Sequence, residues 1–213
     1  MFVIKHTSRK YSFLRILQIF EVSKTKVSGT ILDLGGNDYS HNISNYFDGS
    51  YKIQFADKFP RDEKTIKVDL ESDKELNQKF DNICLMNILE HIKNYKNVIN
   101  FSNNILNLNG RIIGSVPFLF KIHYSPNDYF RFTEQLLNEE FKDSGFEQIV
   151  IKPLGKGIFS NIYSFFFDYT KKIPLLNTIL ITICLILDKV FFFINKNFIK
   201  NYPLGYFFIA IKK

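Results

Sequence analysis

Apolar positions along this chain recur with two alternating periods, and the switches between them lay out its elements. Over residues 12–22, Phe13, Leu14, Ile16, Leu17, Phe20 and Val22 fall at helical spacing. Gly29 stops that segment ahead of an apolar run at 30–34, which predicts a first strand. A helix over 39–46 then leads to short strands at 52–56 and 65–68, which end at Asp57 and Asp69. A fourth strand is predicted at 81–86. Ile92, Tyr95, Val98, Ile99, Ile105 and Leu106 put a helix over 90–108, and Asn109-Gly110 makes a turn. Strand five covers 111–116 and stops at Pro117. Thr133 is placed to cap a helix ending near Gly145, and 146–151 is a sixth strand. Strands alternating with helices of this length predict an α/β fold: a mostly parallel sheet covered on both faces, with ligands bound outside the carboxyl ends of its strands.

The pattern changes after the sixth strand. About fifty residues, 152–204, separate it from a last apolar strand at 205–212, far more than a hairpin connection needs. The expectation is one domain over 1–213 carrying a hydrophobic helical insertion at 152–204. Two apolar runs, 158–169 and 173–187, make up most of that insertion. The longer one stops at Asp188-Lys189, short of the ~18 uninterrupted apolar residues of a spanning helix. It reads instead as helices lying in a membrane interface, with Lys171, Lys172, Lys189, Lys196 and Lys200 near anionic headgroups. Burial on the domain or in a homodimer interface explains the same composition.

With 213 residues, 46% of them hydrophobic, the chain can bury a full core. Its net charge of +7 comes from scattered lysines rather than a stripe, which argues against a nucleic-acid partner. Cys84 and Cys184 sit in apolar runs and read as buried reduced thiols. The first ten residues lack the apolar stretch of a secretory signal, so a cytoplasmic location is expected, with peripheral contact at the inner face of the membrane.

The candidate chemistry lies at the predicted strand ends. Asp33-Leu34-Gly35-Gly36 runs a buried strand into a glycine turn, where bare backbone can approach a nucleotide closely. Asp57 follows at close to the ~20-residue spacing of an acidic group that grips ribose hydroxyls. Asp69, Phe80-Asp81-Asn82-Ile83 and Asn87-Ile88-Leu89-Glu90-His91 come next in order. Taken together these segments resemble class I S-adenosylmethionine-dependent methyltransferases over roughly residues 28–151. The stretch from Ser115-Val116-Pro117-Phe118 through His123, Pro126 and Asp128-Tyr129-Phe130-Arg131-Phe132-Thr133 resembles a subgroup associated with surface-polysaccharide biosynthesis.

The resemblance implies a Rossmann-like seven-stranded sheet whose last strand, 205–212, is antiparallel, and S-adenosylmethionine as cofactor. It places Asp33, Gly35, Gly36 and Asn37 under the methionine part of the cofactor, with Asn37 standing where the family usually has a second glycine. Asp57 would hold the ribose or stand as a solvated strand end. Asp69 and the Leu70 backbone would meet the adenine, or Asp69 would form a turn. Asn87, Glu90 and His91 would shape the pocket, or cap and pack the following helix. For the acceptor, a sugar hydroxyl needs its proton removed, and His123, beyond strand five, is the first candidate base. Asp128 would orient it or replace it. Arg131 would bind a polyhydroxylated or anionic acceptor, or form an ion pair with Asp128. A metal is not expected, because His123 and Asp128 have no third ligand in view. The acceptor so implied is a glycan or its lipid-linked precursor; the alternatives are a small lipid-like acceptor such as a quinone, suggested by the aromatic C-terminal region, and a non-catalytic scaffold of the same fold, suggested by Asn37.

Overall fold

The computed structural model describes residues 11–36, 42–73, 75–124, 127–194 and 196–213. In chain order its elements are α1 (Phe13–Val22), β1 (Lys26–Leu34), β2 (Asp48–Asp57), β3 (Ile66–Lys67), β4 (Phe80–Met86), α2 (Tyr95–Ile105), β5 (Leu106–Pro117), α3 (Glu134–Asp143), β6 (Phe146–Leu154), α4 (Ile158–Thr170), α5 (Pro174–Phe191), the single turn α6 (Phe198–Asn201) and β7 (Gly205–Lys212). Short 3-10 turns occupy Ile43–Tyr46 and Leu89–His91.

The strands form one seven-stranded sheet in the order β3-β2-β1-β4-β5-β7-β6. All neighbours are parallel except β7, which runs antiparallel to both β5 and β6. Side chains on successive strand residues point to opposite faces, and this alternation divides the core in two. Leu32, Ile83, Ile112 and Phe208 pack on one side against Val98, Ile99 and Phe101 of α2 and Leu137 and Phe141 of α3. Ile31, Cys84, Ile113 and Phe207 pack on the other against Phe13, Leu14 and Leu17 of α1, Tyr163 and Phe167 of α4, and Ile181 of α5.

Several boundaries differ from those predicted, each for a local reason. Strand β1 begins at Lys26, because Gly29 sits inside it at φ 80° rather than ending the preceding helix. The helix predicted over 39–46 survives as the 3-10 turn at Ile43–Tyr46; residues 37–41, including Asn37, lie outside the described residues. The helix predicted over 90–108 is broken, since Ile92 caps the 3-10 turn in an extended conformation and α2 starts only at Tyr95. Asn109 takes φ 59° within β5 without ending it, so that strand runs from Leu106. Thr133 does cap α3, its hydroxyl accepting from the Leu136 amide at 3.2 Å, and β7 has the bounds predicted.

Helices α4 and α5 pack as a hairpin between β6 and β7 in chain order. The Tyr163 hydroxyl donates to Asn177 at 2.6 Å. Asp188 is buried and accepts from the amides of Phe159 (2.8 Å) and Ser160 (3.0 Å), so one helix caps the start of the other. Asp188 and Lys189 end the uninterrupted apolar run but not the helix: α5 continues through them to 18 residues and, by length and composition only, is long and apolar enough to cross a membrane.

Candidate active site

Loops at the carboxyl ends of β1, β2, β3, β4 and β5 bring the predicted site residues to one edge of the sheet. Asp33, near the end of β1, is 5% exposed and accepts a short hydrogen bond from the Ser44 hydroxyl. Burial raises its pKa to about 6, against the opposing pull of Ser44, Cys84 and Arg15. Asp33 thus organises the turn that follows. In that turn the Gly35 amide donates to the Ala56 carbonyl at 2.7 Å, and Gly35 takes φ 79°. A Cβ on Gly35 would lie 2.2 Å from the Ile88 side chain, and one on Gly36 would lie 2.5 Å from the Phe55 ring. The positive φ at Gly35 and the crowding by Phe55, Asn42 and Asp33 at Gly36 disfavour a side chain at either position, so bare backbone is left at the sheet edge, as a nucleotide cradle needs. Beside it the buried Asn42 Nδ2 has no hydrogen-bond partner among the described residues. The bare glycine backbone and the spare Asn42 donor suit the polar methionine end of S-adenosylmethionine.

Asp57 closes β2, and its Oδ1 accepts from the Phe59 amide at 2.8 Å; a carboxylate retains further acceptor sites beyond that bond. Asp69 forms a turn: its Oδ1 accepts from the Glu71 amide at 3.1 Å, and Lys58 pairs with it at 2.9 Å and lowers its pKa. The Leu70 carbonyl accepts from Asn97 at 3.0 Å. Asn87 sits at φ 58° after β4 and works as a strut. Its Oδ1 accepts from Gln18 of α1 (2.7 Å) and from the Ser115 hydroxyl of β5 (3.2 Å).

Three positions of the same edge escape a reading of motifs: Ser44, Arg15 and Gln18. Arg15 and Gln18 lie three apart on α1, so they share a side of a helix whose other residues are largely apolar, and Gln18 is fully buried. Polar residues on a buried helical face were the available signal. Arg15, its own pKa lowered by burial, lies close enough to both Asp33 and Glu90 to favour their ionised forms.

The loop after β5 folds over the turn after β4. Arg131 spends its planar fork on Asp128, with Nη1 to Oδ1 at 2.5 Å and Nη2 to Oδ2 at 2.8 Å. That bidentate pair holds the Asp128 pKa at about 2, so Asp128 is an orienting group and not a base at neutral pH. Its Oδ2 accepts from the His123 amide at 2.9 Å and stands 3.4 Å from His123 Nδ1. Burial and the neighbouring His91 lower the pKa of His123, so its imidazole is neutral near pH 7 and holds a free lone pair. The His91 and His123 rings meet edge to face, centroids 4.9 Å apart, and His91 Nδ1 makes a short hydrogen bond to the Asn127 carbonyl. Glu90 lies beneath them, fully buried, and burial pushes its pKa up to about 8.

The third partner that His123 lacked in the sequence is therefore present. One potential ligand atom from each of Glu90, His91 and His123 lies within 4.8 Å of the others, whereas Asp128 is committed to Arg131. The same loop is tied to the inserted hairpin, because Lys121 pairs with Asp168 of α4.

Residues 5–150 match the family described as methyltransferase domain. No curated protein matches the chain. Among solved structures, it resembles Haemonchus contortus phosphoethanolamine N-methyltransferase 2 in complex with S-adenosyl-L-methionine, with a TM-score of 0.58 and 14% identity over 92% of this chain and 52% of that one. It thus spans about half the length of that enzyme. An S-adenosylmethionine-dependent methyltransferase from Archaeoglobus fulgidus gives a TM-score of 0.52 and 16% identity over 93% of this chain and 91% of the other. One from Mesorhizobium loti gives 0.53 and 11% over 93% and 98%. The family match over most of the chain, the 3-2-1-4-5-7-6 sheet and the glycine cradle after β1 agree: this chain belongs to the methyltransferase-domain family, in the Rossmann-like class I fold of S-adenosylmethionine-dependent methyltransferases.

Proposed function

We propose that the protein is an S-adenosylmethionine-dependent O-methyltransferase that acts on a sugar hydroxyl of a cell-surface glycan or, more narrowly, of its lipid-linked precursor. One observation carries the choice of acceptor: the loop bearing His123 is paired through Lys121 to α4, whose hairpin with α5 turns a broad apolar face to solvent. Phe165, Phe166, Leu175, Ile179, Ile186 and Val190 are all exposed, and Lys172, Lys189, Lys196 and Lys200 lie exposed around them. Such a face suits the cytoplasmic leaflet, and a lipid anchor there would bring a sugar headgroup to the loop.

The cofactor, when bound, supplies a methyl group on a sulfonium. Asp33 and the glycine turn would hold its methionine end, Asp57 its ribose, and Asp69 with Leu70 its adenine. His123, kept neutral by burial and the neighbouring His91 and oriented by Asp128, would take the hydroxyl proton as the oxygen–carbon bond forms and the carbon–sulfur bond breaks with its pair left on sulfur. The exposed apolar face also supports a small lipid-like acceptor such as a quinone.

Calorimetric titration with S-adenosylmethionine tests the cofactor assignment: micromolar binding is expected, lost on Asp57→Ala. Full affinity in that variant removes the ribose role. Product mass spectrometry after incubation with lipid-linked sugars and with quinols decides between the two acceptors.

A further inference from the structure

Glu90 is the residue that the reading above leaves unused, and it is unusual. Its side chain is fully buried, and among the described residues neither carboxylate oxygen has a hydrogen-bond partner. A carboxylate stripped of water without donors is costly to keep, so a buried one ordinarily finds a proton donor or a cation. Arg131 and Arg15 favour its ionised form, but neither forms an ion pair with it among the described residues; the side chains that approach it are imidazoles, with His91 Nε2 3.8 Å from Oε1 and His123 completing the group within 4.8 Å.

The other nitrogen of each ring is already held. His91 Nδ1 bonds the Asn127 carbonyl, which fixes the proton on that side and leaves the Nε2 lone pair turned toward Glu90. His123 Nδ1 lies 3.4 Å from both the Lys121 carbonyl and the Asp128 carboxylate, which leaves Nε2 as its free nitrogen. Metal-ligating histidines are ordinarily oriented in this way, each donating its second N–H to a carbonyl or carboxylate.

We infer that Glu90, His91 and His123 form a binding site for one divalent first-row transition ion, of the class of zinc, cobalt, manganese or iron(II). Two imidazoles and one carboxylate favour such an ion over magnesium or calcium, which prefer oxygen ligands. Three protein ligands leave positions open for an exogenous oxygen. The site adjoins the cofactor cradle, since Ile88, two residues before Glu90, packs against Gly35. The inference rests on the methyltransferase reading only for the use of the ion. Bound there, the ion would take the acceptor hydroxyl in an open position and acidify it, the proton passing to solvent, and His123 would serve as ligand instead of base.

The test is titration of the tag-free, chelator-treated full chain with cobalt(II), followed by visible absorption, with zinc competition by calorimetry and no cofactor present. Expected are one ion per chain, d–d bands displaced by zinc, and negligible competition from magnesium. His91→Ala and His123→Ala should each weaken binding by at least ~10–100-fold, and so should the conservative Glu90→Gln. His6→Ala with His41→Ala should leave it unchanged. Cooperative thermal unfolding of each variant confirms that it is folded. An absence of binding at millimolar cobalt in folded wild type overturns the site, and so does binding that survives loss of both His91 and His123. Titration with S-adenosylmethionine is run separately on the metal-free chain, so a failed ion site with an intact cofactor site is distinguished from the reverse.

Discussion

The cofactor edge of the sheet and the outer side of the α4–α5 hairpin depart from ordinary packing in opposite directions. At the edge, polar groups are buried: Asp33, Glu90 and Gln18 are each at most 5% exposed. On the hairpin, apolar groups are bare, with Leu175 74% and Val190 62% exposed. Burying a polar group costs free energy unless it is paired, and exposing a large apolar patch gives up burial the fold could otherwise gain. A chain that does both, in two places joined by the Lys121–Asp168 pair, has structure there that stability alone does not explain.

The comparison breaks most readily at the hairpin's inner side. Ile181 is fully buried against α4 and the sheet, and Ile181→Ala should cost about 3–4 kcal/mol in urea unfolding. A cost below about 1 kcal/mol would mean that the hairpin does not cover a core face. Arg131→Ala comes next, because it strands the Asp128 carboxylate, whose side chain is 1% exposed. A loss of about 3 kcal/mol is expected by the same measurement.

At the cofactor edge, Asp33 titrates near 6 in the fold against an ordinary value of 3.8. A raised carboxyl pKa means that the fold prefers the neutral form, so this group's contribution is fully present below pH 4 and is lost as pH rises through 6. The stability of Asp33→Asn relative to wild type should therefore grow between pH 4 and 6, by about 2–3 kcal/mol, and then level off. A difference flat with pH would show that Asp33 is ionised without penalty. Asp188→Ala removes the acceptor for two amides at the start of α4 and should cost about 1–2 kcal/mol. Ile186→Glu, on the bare side, should change stability by no more than about 0.5 kcal/mol while it lowers binding to anionic vesicles. Unchanged vesicle binding would remove the membrane from the proposal.

The alternation of periods made the sheet and its covering helices legible, and the bounds of β7 and the Thr133 cap were read directly. Local geometry that overrides periodicity was not. The 3-10 turn at Leu89–His91 carries the same residues a helix would, and Ile92 takes an extended conformation there that no apolar pattern marks. Of the candidate site, Asp33, Gly35, Asp57 and Asp69 could be located because each lies at or within two residues of a strand's carboxyl end. Arg15, Gln18 and Ser44 could not, because they act from elements with no motif of their own.

What the sequence determined by itself is therefore the succession of strands and helices, and the edge at which their loops gather. Both follow from hydrophobic periodicity and turn residues, which act over a few positions. Only the tertiary structure decided which polar groups meet. Gln18 reaches Asn87, and Glu90 and His91 reach His123, because parallel strands joined through helices set distant loops side by side. It also decided that Asp188, the charge that ends an apolar run, caps a neighbouring helix. Such pairings depend on where two elements end in space, which short-range patterns of side chains do not encode.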